Sequence, residues 1–408
     1  MNENTIRSEF PILSRTVYGK ALVYLDSAAT TQRPRSVVEM FSRLSLENNA
    51  NIHRSVHRLA TEATEEFESA RDRVRVFINA PSREEVIFTS GTTGAINLVA
   101  SSFCERYLEE GDEVLVSEAE HHSNIVPWQL ACGRKKAVVK PLRITEFGDL
   151  DIDDLKKSIS QKTKVVAINL ISNILGIKNP VTEIVRICHE NGVPVLIDAA
   201  QAPLHEKIDV QQIDCDFLAF SGHKVFSVPG VGVLYGKRKW LDEMPPFLGG
   251  GEMIETVRFS GTTFAPLPEK FEAGTQNITG IPTLIPALDL AERLRDDRET
   301  EERMEAIRDY MMERLLGDER VILYGVPRRT EDKIPLFSFS VKGAHHEDLA
   351  LILDKMGIAV RSGQMCAEPL MDRLGVSGMV RASFAPYNTL SEAEYFISSL
   401  DKAIKMLI

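Results

Sequence analysis

Two patterns of apolar and polar positions alternate along this chain. Between about Glu85 and Gly236, the short apolar runs EVIFTS, DEVLVSE, KVVAINLIS, VPVLIDAA and DFLAFS are separated by longer stretches with helical spacing. Several of these runs are apolar without a break, as strands are when helices cover both faces of a parallel sheet. The pattern predicts a doubly wound α/β sheet, in which ligands collect at the carboxyl ends of the strands. From Ile281 to Arg303, IPTLIPALDLAERLRDDRETEER predicts one long helix that becomes increasingly charged and bridges to a second unit. Beyond it, strand LFSFSV, helix HEDLALILDKM, strand IAVRS, a loop holding Cys366, strand MVRASF and the amphipathic helix EAEYFISSLDKAIKML predict a smaller α/β unit. The expected organisation is a large domain over 20–290 and a small one built from 1–19 and 291–408.

Composition narrows the function classes. The chain has 408 residues, 43% of them hydrophobic, enough for one large core and a second domain. A formal charge of -11 argues against a general binder of phosphate backbones, which needs surplus Lys and Arg, so no nucleic acid partner is expected. No apolar run approaches the roughly 20 residues of a membrane span, and the opening MNENTIRSEFPIL lacks the apolar segment of a secretory signal. A soluble, cytoplasmic protein without a membrane partner is the expectation. The five cysteines, Cys104, Cys132, Cys188, Cys215 and Cys366, show no CxxC spacing and suggest neither a disulfide framework nor a structural zinc site.

The chemistry concentrates at predicted strand ends. Lys224 follows the apolar run Phe217–Phe220, where an amine is costly to desolvate unless a partner or a covalent bond absorbs the cost. Asp198 ends the run Val193–Ile197; alone it could cap the next helix. Paired with a lysine at the next strand end, it could instead hold a proton on a heteroaromatic nitrogen, which is what pyridoxal phosphate requires. In EVIFTSGTTGAINLVA a strand passes through Ser90-Gly91-Thr92-Thr93 into a helix from about Gly94, a turn whose amides and hydroxyls suit a phosphate. Many such turns bind nothing, so its weight comes from Asp198 and Lys224. His122, after another strand, could stack on a pyridine face or be a surface histidine. His53 and His57 have i, i+4 spacing, but two ligands do not make a metal site, and no metal is expected. Cys366 sits in a loop near Arg361, whereas the other cysteines fall in helix-like or strand-like contexts where a thiol is usually inert packing.

Taken together, YLDSAATTQRP, NANIHRSVHRLA, FTSGTTGAINLVA, EHHSNIVPWQ, ISNILG, IDAAQA, SGHK, FEAGT, VRSGQMCA and VRASFAPYN follow the order and approximate spacing of one family over nearly the whole chain. The sequence resembles the Suf-type (group II) cysteine desulfurases, fold-type I, class V aminotransferase-like enzymes that use pyridoxal 5'-phosphate and are related to selenocysteine lyases. The resemblance implies that Lys224 forms a Schiff base with the cofactor, that Asp198 pairs with its ring nitrogen and that His122 stacks on the ring. It places Asn173 and Gln201 near the phenolic oxygen. Thr92, Thr93, Ser221 and His223 would hold the phosphate, with Thr275 from the other subunit of a homodimer. Arg381 is the implied clamp for the substrate carboxylate; His53, Arg54, Arg361 and Asn173 are implied around the substrate. The implied reaction converts L-cysteine to L-alanine and leaves a persulfide on Cys366, with sulfur passing to an acceptor or iron-sulfur scaffold protein.

The chain departs from the family's usual pattern at Gln364 and Met365, where two histidines are common, at Ser227 and Val228, where glycine and proline are common, and at Leu170, often a histidine. None belongs to the expected cofactor set. The competing readings are a selenocysteine lyase or other β-eliminating lyase, and a non-catalytic scaffold, which the presence of Lys224, Asp198 and Arg381 disfavours.

Overall fold

The computed structural model describes residues 2–408. Its larger unit is built on a seven-stranded sheet with the order Val86–Thr89, Gly232–Gly236, Phe217–Ser221, Val195–Asp198, Thr163–Asn169, Glu113–Ser117, Val138–Leu142. The last five of these are mutually parallel, whereas Gly232–Gly236 runs antiparallel to both its neighbours. Successive residues of the Thr163–Asn169 strand explain the unbroken apolar runs. Val166 and Ile168 pack into one core with Phe67 and Leu288, while Val165 and Ala167 pack into another with Phe103 and Trp128. Both faces of the sheet are therefore covered, as expected.

The smaller unit is an antiparallel sheet in the order Val321–Tyr324, Leu336–Val341, Met379–Ser383, Arg361–Gly363. Helices His346–Lys355 and Leu390–Leu407 supply Leu353 and Phe396 to a core with Phe337, Phe339 and Val380. The expected long helix is two: Leu284–Arg295 and Arg298–Leu316. The break has a local cause, since the Asp297 carboxylate accepts from the Thr300 amide at 3.0 Å and so caps a new helix. The N-terminal stretch touches both units: the Phe10 ring lies against Phe226 of the large unit and Tyr387 of the small one, and Arg7 bonds Glu392 at 2.8 Å. The next stretch also reaches the small unit, since Val23–Tyr24 pairs in parallel with Ile358–Ala359.

The two units are stitched along the turn that follows Thr163–Asn169. Lys333, 1% exposed, donates to the carbonyl oxygens of Leu175 (2.6 Å) and Gly325 (2.9 Å). Ser338 Oγ donates to Ile174 O at 2.5 Å, and the Ile334 amide to Gly176 O at 2.9 Å. Among the described residues no helix is long and apolar enough to cross a membrane.

Candidate active site

One cavity of about 240 Å3 opens where the parallel strands end and the small unit leans over them. Asn169 stands in register beside Asp198, and Asp198 beside Ala219, so consecutive strand ends present their polar side chains together. Lys224, Asp198, Gln201, Asn173, Cys366 and Arg381 all line this space. The short helical turn Gly222–Lys224 carries the lysine off the Phe217–Ser221 strand and into the wall.

At one end lies an oxygen-rich cradle. The helix Thr92–Tyr107 starts against the cavity with Gly91 at its N-cap, φ 147°, a conformation that favours glycine. A Cβ on Gly232 would come within 2.3 Å of Gly91 Cα, so the turn and the neighbouring strand touch only because Gly232 lacks a side chain. Ser221 Oγ accepts from the Thr92 amide at 2.8 Å and bonds Thr92 Oγ1 at 2.7 Å; Thr93 Oγ1 meets Ser123 Oγ at 2.8 Å. Thr92, Thr93, Ser221 and His223 line the cavity here, close to open helix amides.

In the middle stand the titrating groups. Burial lowers the Lys224 ammonium to about 8, opposed by Asp198. Burial also pushes the Asp198 carboxyl above its usual range, although the Ala200 amide at 2.9 Å and the Lys224 charge pull it back. A protonated ring nitrogen placed there would restore the carboxylate. His121 is lowered to about 4 by burial and then by Lys224, so its ring is neutral at neutral pH. Behind this group lies Glu120, fully buried and pushed up to about 8, accepting from Asn124 Nδ2 and from both the amide and Nδ2 of Asn169.

The third part faces the small unit. Arg381, 3% exposed, donates from Nη1 to Asn173 O at 2.8 Å and from Nη2 to Asp26 at 3.3 Å, while its buried Nε has no hydrogen-bond partner. An unpaired donor on a cavity-lining guanidinium fits an incoming carboxylate. Arg361 lies 3.9 Å from the other Asp26 oxygen. Cys366 is the exposed cysteine, while Cys104, Cys132, Cys188 and Cys215 are buried. Met365 and Cys366 both hold positive φ, 51° and 58°, which is strained for side chains of their size.

Three expected residues are placed differently. The cavity takes His121 rather than His122, because His121 caps the short turn His122–Asn124 and its neighbour points toward the Cys366 loop. His53 and Arg54 are drawn away by carboxylates, His53 Nε2 to Glu68 at 3.2 Å and Arg54 Nε to Glu252 at 2.9 Å. Thr275, expected to serve the other subunit's cavity, is exposed and lies outside this chain's own. Of the residues not anticipated, Asn169 was discoverable as the end of the KVVAINLIS strand; choosing between two adjacent histidines was not. Of the departures, Ser227 is buried and bonds Thr283 Oγ1 at 2.8 Å, and Leu170 is buried in the core, so both are absorbed by packing.

An α/β sheet whose strand ends hold a half-buried lysine, a buried aspartate and a hydroxyl-lined helix N-terminus defines the class, and the chain belongs to the class-V aminotransferase family, whose model matches residues 23–396. The particular relatives are narrower. A protein of Vibrio cholerae named "Probable cysteine desulfurase" is 43% identical over 409 residues, covering 100% of both chains. The crystal structure of the cysteine desulfurase CsdA from Escherichia coli superposes with a TM-score of 0.90 at 37% identity, covering 100% of each chain. The apo cysteine desulfurase of Thermococcus onnurineus superposes at 0.92 with 36% identity, covering 99% of this chain and 98% of that one. The family implies pyridoxal phosphate as cofactor, and the residues present fit it: a donor-rich cradle, a buried carboxyl for the ring nitrogen and a half-buried amine whose charge acts on that carboxyl.

Proposed function

We propose that this protein is a cysteine desulfurase that converts L-cysteine to L-alanine and takes the sulfur onto Cys366. The observation that carries the reading is that the exposed cysteine of the chain shares a cavity with Lys224, Asp198 and Arg381. Thr92, Thr93, Ser221 and His223 would hold the phosphate of pyridoxal 5'-phosphate, Asp198 its ring nitrogen and Gln201 and Asn173 its phenolic side, with His121 against the ring. The bound cofactor supplies an electron sink for the substrate α-carbon.

The chain's own groups do the rest. Arg381 binds the α-carboxylate of cysteine through its free Nε and fixes the substrate's direction. Lys224, with its amine lowered to about 8, moves a proton at the α-carbon near neutral pH. The Cys366 thiolate attacks the substrate sulfur; a sulfur–sulfur bond forms, the carbon–sulfur bond breaks and the carbon takes a proton to become alanine. Cys366 is left as a persulfide, whose outer sulfur is passed to an acceptor thiol or an iron-sulfur scaffold protein. The product is sulfur in a transferable form.

The functional unit is a homodimer in this reading. The hairpin Ile254–Arg258 and Gly261–Phe264 stands off the body with Val257, Phe259 and Phe264 exposed, a set of apolar side chains suited to burial against a second copy. Thr275 of that copy would complete the phosphate cradle. The test is alanine and sulfide formation from L-cysteine with a reductant present, by wild type, Lys224→Ala and Cys366→Ala. Loss in both variants supports the assignment, and full activity in Cys366→Ala removes the persulfide step.

A further inference from the structure

We infer that His122 is a positioning residue that clamps the Cys366 loop in the conformation from which its thiol reaches the cavity. The inference rests on the proposed nucleophilic role of Cys366. The loop has little support of its own: Met365 and Cys366 are both left-handed, and Ala367, at the N-cap of helix Glu368–Leu374, offers no side-chain acceptor. Pro369 follows at once and has no N–H, so the Glu368 amide is the donor that opens this helix.

The large unit grips the loop at successive points. Asn173 Nδ2 donates to Met365 O at 3.2 Å. The His122 amide donates to Cys366 O at 2.8 Å, and the Glu368 amide donates to His122 Nε2 at 3.1 Å. One histidine thus holds the residue bearing the thiol from its backbone and the helix behind it from its ring. For Nε2 to accept, the neutral ring carries its proton on Nδ1. The Glu368 carboxylate, 3.5 Å from the same nitrogen, is more than half exposed and adds nothing that the ring's acceptor role requires. Backbone strain at two consecutive residues persists only when the surroundings over-determine it, and here these three bonds act together with the packing of Met365 and Ala367 in a core with Ile174 and Leu370 and the turn bond from the Ala367 amide to Gln364 O.

His122→Ala removes the ring acceptor and keeps the backbone bond; His122→Gln puts a carbonyl oxygen at a similar reach. Three measurements separate the roles: amide hydrogen exchange over residues 361–374, steady-state alanine formation and the visible absorption of the cofactor. His122→Ala is expected to exchange faster over this segment and to lose about tenfold in kcat, the worth of one hydrogen bond, with KM within about twofold. Its cofactor band stays as in wild type, and His122→Gln recovers most of both losses. Wild-type exchange and kcat in His122→Ala overturn the clamp, as does a loss of activity accompanied by an altered cofactor band, which would move His122 to the ring. If Cys366→Ser retained full alanine formation, the nucleophile assignment would fall, and the exchange data would still decide whether His122 holds the loop.

Discussion

The two walls of the cavity are made in different ways. The wall carrying Asp198 and Lys224 consists of strand ends in a sheet buried on both faces, where register alone puts Asn169 beside Asp198. The wall carrying Cys366 is a strained loop of the small unit, held by Asn173, by His122 and, at its base, by the Lys333 and Ser338 bonds that fix the Ile174–Gly176 turn. One wall is rigid because of the fold and the other because of a few cross-unit hydrogen bonds. The comparison suggests that cofactor chemistry should survive damage to the second wall, whereas sulfur transfer should not.

The strongest break of the comparison is on the sheet side. Lys224→Ala is expected to lose about 10²–10⁴-fold in alanine formation, the scale of a lost proton-transfer group, and to shift the cofactor's visible band, measured by product assay and absorption spectroscopy. Cys366→Ala sharpens the contrast: alanine formation collapses while the band is unchanged. If the two variants failed identically in both measurements, the walls would not be separable.

A smaller effect is expected at the seam. Burial lowers the Lys333 amine to about 7, against an unfolded value of about 10.4. Between these values the unfolded chain binds more protons than the folded one, so this group makes stability rise with pH from about 7 to about 10, and its penalty is fully present below about 7. Lys333→Met should flatten that rise relative to wild type in melting temperatures taken across the window; an unchanged slope would mean that the amine titrates normally. Smallest is Ser338→Ala, which leaves the buried Ile174 carbonyl without this donor and should cost about 1 kcal/mol by urea denaturation, with no change in the cofactor band.

The same contrast explains what could be read in advance. The sheet wall was legible because apolar runs ending in Asp198 and in Ser221-Gly222-His223-Lys224 mark both a strand and what stands at its end. The loop wall was legible only as a cysteine near an arginine. Its geometry depends on contacts between residues more than 190 positions apart, such as Asn173 with Met365, which no local pattern encodes. The histidine pair shows the limit most clearly. His121 and His122 are equivalent in composition and spacing, and the turn that sends one into the cavity and the other to Glu368 is set by the tertiary fold. The helix break at Asp297 was in principle readable, since aspartate is a favoured N-cap residue.

The most direct test of the account is where the sulfur goes. Wild type loaded with pyridoxal phosphate is incubated with L-cysteine without reductant, digested and mapped by mass spectrometry, beside Lys224→Ala. The peptide containing Cys366 is expected to gain one sulfur atom, released by reductant and absent from Lys224→Ala. Alanine formation with the added sulfur on another cysteine, or on none, would contradict the account.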